Sequence, residues 1–246
     1  KNFFGTVNAS LPEDHAYFLR LRLPWMEAPK VREAIELQIE DHVPYLAEEV
    51  IFDYEIVNGN KSTQHIDTTV SIIPRLVAEK YLTTLQLAGL EVASLSIESD
   101  AMIKAVVPRD AEETFIVVNI GKNKTVISVV NGGTIWISDT IKAGGDLLTE
   151  LIIKYLKVER SVAENIKYEK GLSEIKDNLA FEPLALGLSS IRDEIIRYNM
   201  YWMSDKEATF SGERKVHKVI LCGRDANIPG IDNYLSSSLK ISTVIA

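Results

Sequence analysis

The sequence predicts an α/β fold that carries a small α+β unit in its first half. Three observations lead there. Stretches with two-residue alternation and stretches with three- and four-residue apolar steps succeed one another along the whole chain. Thr114 to Thr149 joins three β-rich runs by short polar turns and then opens a helix with a Gly-Gly pair. Before that, helix, strand, strand, helix and strand follow one another over about 65 residues, enough for a small α+β layer pair.

The elements follow in order. Tyr17 to Leu23 (YFLRLRL) alternates apolar and basic residues, as a half-buried strand does, and Pro24 ends it. Pro29 to Val43 reads as a helix: Val31, Ala34, Ile35, Gln38, Ile39 and His42 share one face, Pro29 suits the first turn, and Pro44 stops it. Val50 to Val57 and Ile66 to Ile73 read as strands joined across Asn58-Gly59-Asn60, a hairpin-type turn. Pro74 to Ala88 is a second helix closed by Gly89, and Glu91 to Ile97 a further strand. After the three β-rich runs come helices over Gly145 to Lys157, Arg160 to Lys170 and Pro183 to Met203. A strand over Val216 to Cys222 leads through Gly223-Arg224-Asp225-Ala226-Asn227 into a helix over Pro229 to Leu239. The final Ile241 to Ala246 reads as a strand without its continuation, and both ends read as cut.

Composition narrows the classes. Apolar content of 46% and charged content of 25% are those of an ordinary globular protein. A net charge of −8 argues against nucleic acid as the default partner. Cys222 is the sole cysteine, so neither an internal disulfide nor a thiolate metal cluster is available. His15, His42, His65 and His217 are scattered, with none in metal-ligand spacing. No apolar run is long enough to cross a bilayer, and Lys1-Asn2-Phe3-Phe4-Gly5 does not open a signal peptide. Gly-x-Ser-x-Gly, Walker and Rossmann patterns are missing. Tyr198, Tyr201 and Trp202 lie at helical spacing and read as core or interface packing.

Two places carry possible chemistry. The turn Asn119-Ile120-Gly121-Lys122-Asn123-Lys124-Thr125 has the form that aims backbone N–H groups at phosphate oxygens, with Gly121 allowing close approach and the lysines adding charge. The same residues also describe a plain hairpin with a polar tip. Gly144-Gly145 stands before a helix, where an anion can bind. Asp146 in that first turn offers its own carboxylate to the same amides.

The order of motifs resembles the PilM family, the actin-like cytoplasmic proteins of type IV pilus assembly related to the cell-division protein FtsA. Five segments carry it: VREAIELQIEDHVPYLAEEVIFDYEIV (31–57), YLTTLQLAGLEVASLSIESDAMIKAV (81–106), FIVVNIGKNKTVISVVNGG (115–133), AGGDLLTELI (143–152) and VILCGRDANIPGIDNYL (219–235). No segment is specific alone; their order is.

The resemblance implies an actin-like (ribonuclease H-like) two-lobed fold, partly truncated, with nucleotide between the lobes. Residues 1–26 and 94–110 would form part of the first lobe, and 27–93 an inserted subdomain of the SHS2 type. The second lobe would be 111–246, with a helical subdomain over about 158–210. The family's opening strand–turn–strand, source of its first phosphate loop, has no counterpart before Tyr17. Asn119, Gly121, Lys122 and Thr125 would form the second phosphate turn, Gly144 and Gly145 the Gly-Gly element, and Gly223 and Arg224 the adenosine-side loop. Glu164 and Lys167, three apart on one helix, would face the adenosine; the spacing equally suits a solvated ion pair.

Two departures stand out. Asn119 replaces a carboxylate that could hold a metal-bound water, and an amide can take no proton. Arg224 replaces a glycine and would crowd the pocket or fold over the base. Catalysis is therefore in doubt, and ATP with Mg is expected to bind weakly or not at all. The implied role is a scaffold on the inner face of the inner membrane, gripping the N-terminal cytoplasmic peptide of a PilN-like protein. Leu19, Leu21 and Leu23 would wall the groove on one side, Ile35 and Ile39 on the other. An active actin-like ATPase and a cytoplasmic domain of the type II secretion GspL kind are the alternatives.

Overall fold

The computed structural model describes residues 5–60, 62, 64–173, 178–204 and 214–246. Its first element, β1 (Thr6–Leu11), lies outside every expected element and pairs in parallel with β5 (Glu91–Ile97). β2 (Tyr17–Pro24) is the alternating strand, with Leu21 and Leu23 buried and Arg22 outward. α1 (Ala28–His42) has proline in its first turn and buries Val31, Ile35 and Ile39 at four-residue steps.

β3 (Val50–Asn60) and β4 (His65–Pro74) pair antiparallel, with a register shift between Ile56 and Asn58. The expected turn at Asn58-Gly59-Asn60 is thus strand: the bulge takes up the extra residue, and Asn60 still faces His65. Gly59, at φ +147, lets the backbone of His65 and Ile66 approach at 2.7 and 2.8 Å from where a Cβ would stand. The sheet order is β2-β4-β3, so the strand Tyr17–Pro24 shares its sheet with β3 and β4. One core fills this α+β layer: Leu21, Leu23, Val31, Ile35, Ile39, Val50, Phe52, Ile66, Val70 and Ile72 pack together.

α2 (Arg75–Leu87) follows, with Ala78 as its buried residue, and packs with Leu11, Ile73, Val77 and Leu95 in a small separate cluster. α3 (Glu98–Val106) follows β5, in a stretch where no element was expected. Its start is tied to the 3-10 turn Glu13–His15, since the buried Glu13 carboxylate accepts the Ser99 N–H at 3.2 Å.

Contacts divide the chain into two units, Lys1–Ala105 with Thr134–Trp136, and Val106–Gly133 with Ile137–Ala246. The second holds β6 (Thr114–Ile120) and β7 (Thr125–Asn131), both almost continuously buried as strands covered on two faces are, and β8 (Thr134–Ile141) beside β7. α4 (Gly145–Leu156), α5 (Arg160–Glu169) and α6 (Phe181–Ser204) come next. α6 buries Leu184, Leu188, Ile191, Ile195, Tyr198 and Trp202, so Tyr198 and Trp202 are core, while Tyr201 is exposed. β9 (Val216–Cys222), α7 (Ile231–Leu239) and β10 (Thr243–Ile245) complete a sheet of order β10-β9-β6-β7-β8. β9 runs parallel to both β6 and β10. Among the described residues no helix is long and apolar enough to cross a membrane.

Candidate functional site

The parallel pair β6 and β9 brings two of the expected motifs to one place. Asn119 stands opposite Cys222 in register, so the turn after β6 and the loop after β9 leave the sheet side by side. Carboxyl ends of parallel strands are where open α/β sheets bind ligands. Gly223 is at φ +88, and a Cβ on it would run into the Asn119 side chain and the Ile120 carbonyl. Glycine is therefore required there by close approach within the protein itself.

The turn after β6 closes with the Gly121 N–H donating to the Lys124 carbonyl at 2.9 Å. Its other carbonyls face the start of α4. The Gly145 N–H donates to the Gly121 oxygen at 3.0 Å, and the Asp146 N–H to the Lys122 oxygen at 2.8 Å. The first two amides of α4, among those an anion would use, are thereby satisfied by backbone. Gly144 permits this contact: a Cβ there would lie 2.6 Å from the Gly121 oxygen and 2.7 Å from both Lys122 O and Lys124 N. Asp146 does not cap the helix; its carboxylate pairs with Arg160 at 3.3 Å. Thr125 is fully buried, and its hydroxyl donates to the Ala143 carbonyl at 2.6 Å. Lys122 is exposed.

α5 supplies the other side. Lys167 is neither solvated nor open to a ligand: its side chain is 2% exposed. Its Nζ donates to Gly145 O at 3.1 Å, Thr149 Oγ1 at 2.8 Å and Glu164 Oε1 at 3.2 Å, and pairs with Asp225 Oδ1 at 2.9 Å. Asp225 is as deeply buried, 3% exposed, and also accepts from the Tyr168 hydroxyl at 2.9 Å. Its carboxylate presses on Gly145, where any Cβ would overlap it. Burial, then the hydrogen bond to Asp225, keeps the Tyr168 phenol well above its usual range.

Glu164 is partly exposed and hydrogen-bonded by Thr149. Burial pushes its carboxyl up, but hydrogen bonds from Thr149 and Lys167 and the charges of Lys167 and Arg224 outweigh that and hold it below its ordinary value. Arg224 reaches Glu164 Oε2 at 3.6 Å and lies 5.1 Å over the Tyr168 ring, with 72% of its side chain exposed. It folds outward over an aromatic face and fills no interior.

The second unit thus brings Asn119, Gly121, Gly144, Gly145, Glu164, Lys167, Gly223 and Arg224 together. Asp225, Tyr168 and Thr149 belong to the same cluster but were not among the expected site residues. Asp225 adjoins Gly223-Arg224, yet nothing local signals that it is buried. For an adenine nucleotide the residues do not fit as the resemblance places them. The Gly145 and Asp146 amides are taken, the lysine is paired inside, and an amide stands where a carboxylate would. Among the described residues no group of His, Cys, Asp or Glu could hold a metal ion.

In the first unit, Leu21, Leu23, Ile35 and Ile39 are buried against one another between the sheet and α1. They form its interior, and so cannot line a groove on its surface as expected. Leu19 alone of the five is part-exposed.

Comparison with known proteins places the fold. Among solved structures, the PilM–PilN type IV pilus biogenesis complex aligns over 98% of this chain and 69% of that one, with a TM-score of 0.76 and 18% identity. MreB5 of Spiroplasma citri bound to AMPPNP aligns over 71% of this chain and 60% of that one, with a TM-score of 0.58 and 20% identity. The cell division protein FtsA of Streptococcus pneumoniae is 28% identical over 100 residues, 40% of this chain; the chain spans 22% of that protein's length. These likenesses establish an actin-like fold. The family model of the type IV pilus assembly protein PilM matches residues 26–246, and the chain belongs to that family.

Proposed function

We propose that this chain is an actin-like scaffold of type IV pilus assembly that holds the N-terminal cytoplasmic peptide of a PilN-like inner-membrane protein, at the inner face of that membrane. ATP binding is weak or absent, and turnover is not its work. The family match, together with the PilM–PilN complex among its structural neighbours, supports the partner. The observation that carries the scaffold over the ATPase is the spending of the candidate nucleotide groups on one another: the Gly145 and Asp146 amides on turn carbonyls, and Lys167 on Asp225.

The α+β layer, from Tyr17 to the end of β4, is the inserted subdomain on this reading. The peptide is received at its surface and not by its core leucines and isoleucines. β2 stands at the edge of the sheet β2-β4-β3 and carries the part-exposed Leu19. An edge strand offers backbone N–H and C=O groups to an extended peptide, with side-chain specificity from alternate positions.

The experiment is a calorimetric and NMR titration of the whole chain with the N-terminal peptide of the PilN-like protein from the same genome. Saturable heat and shifts confined to the first unit are expected. No heat and no shifts would reject the scaffold reading. A parallel assay of phosphate release with MgATP is expected to stay at background, and rapid turnover would favour the ATPase.

A further inference from the structure

We infer that Asp225 has turned the adenosine side of this site into a permanent internal joint, so that the second unit holds its shape without nucleotide and Lys167 is withheld from any adenine nucleotide. The inference rests on the actin-like reading of the site but not on the peptide partner.

Three elements meet at the Lys167 ammonium: α4 through the Gly145 carbonyl and Thr149, α5 itself, and the loop after β9 through Asp225. The ammonium has three protons, and the acceptors already within 3.2 Å use all of them. A ligand oxygen would have to displace one of these where Lys167 and Asp225 are both buried, and there separating the charge pair costs most. Asp225 cannot turn aside to release it. Tyr168 donates to the same carboxylate oxygen, and Gly145 lies directly beneath. Gly145 must be glycine for that reason, so the glycine serves a carboxylate of the protein where a phosphate would otherwise approach. The turn carbonyls of Gly121 and Lys122 complete the joint by occupying the amides next to it.

A carboxylate, a glycine, a lysine and two amides are therefore matched to one another. A nucleotide-dependent site would leave those groups open until ligand arrives. The protein should then be as stable without nucleotide as with it.

The test is thermal unfolding of the whole chain with and without MgATP and MgADP at about 1 mM, on the wild type and on Asp225→Asn. A micromolar site would raise the wild-type midpoint by several degrees at that concentration. The expected wild-type shift is below about 1 °C. Asp225→Asn removes the counter-charge and should lower the midpoint by several degrees, and MgATP should then restore part of the loss by reaching the released lysine. A saturable rise in the wild type would overturn the inference. So would an Asp225→Asn protein that melts like the wild type or ignores MgATP. Should that variant fail to fold, the wild-type measurement decides alone. Failure of peptide binding with a flat wild-type response would reject the scaffold and leave the joint standing.

Discussion

Lys167 shows how far a residue's role depends on what surrounds it. Its sequence neighbourhood gives an i,i+3 pair with Glu164, and such pairs on helix surfaces are worth a few tenths of a kcal/mol. In place it is 2% exposed and bound to Asp225. Removing one partner of a buried pair strands the other charge, at a cost of about 3–5 kcal/mol. Lys167→Met should therefore lose stability on that scale in urea unfolding. Lys167→Met combined with Asp225→Leu should lose clearly less, because no charge is left stranded. Equal losses would mean that the two groups act independently. Glu164 makes a prediction about pH. Its folded carboxyl lies below the ordinary 4.5, so its contribution is complete above that value and is lost as pH falls through the lower folded value. Stability measured across that acid range should fall more steeply for the wild type than for Glu164→Gln. Glu164 and Lys167 were legible as a pair in the sequence. The burial of Lys167 was not, because the partner that seals it comes from another element: Tyr168, its neighbour, and Asp225 are 57 residues apart.

At the scale of elements, local signals succeeded wherever they were strong. β5 and β9 match their expected bounds, and α1 and α4 differ by a residue at one or both ends. α3 was missed because Glu98-Ser99-Asp100 reads as a polar turn when its tie to Glu13 is unseen. β1 was missed because TVNASL offers little apolar alternation and gains its identity from pairing with β5. The hairpin turn slid past Asn60 because a bulge cannot be read from alternation. The join between the turn after β6 and α4 gives the sharpest prediction at this scale. Gly144 is in an extended conformation that any residue can adopt, so the demand for glycine there is purely one of space. Gly144→Ala would push a methyl against the backbone oxygens of Gly121 and Lys122, atoms that cannot swing away. A loss of about 2 kcal/mol or more is expected in chemical denaturation. A neutral outcome would show that turn and helix can part without penalty.

For the molecule as a whole, the cores are unequal. The layer of β1, β5 and α2 is held by a small cluster around Leu11, Ile73 and Ala78, whereas β6, β7 and β9 are buried along most of their length. Local opening follows local burial. Amide hydrogen exchange should release the β1 and β5 amides well before those of β6 and β9, and equal protection would contradict the burial pattern. The sheet of the second unit also has a consequence for how the chain becomes a fold. β9 sits between β6 and β10, and the Cys222 thiol meets the Val118 carbonyl across a separation of 104 residues. A strand that must wait for a partner so distant pays a large loop-closure entropy before any reward, which slows folding. On the ribosome, β6 and β7 emerge as a hairpin with one apolar edge uncovered until β9 has been made. An unpaired apolar strand edge is a template for aggregation, so that interval is the one in which such pairing has its opening.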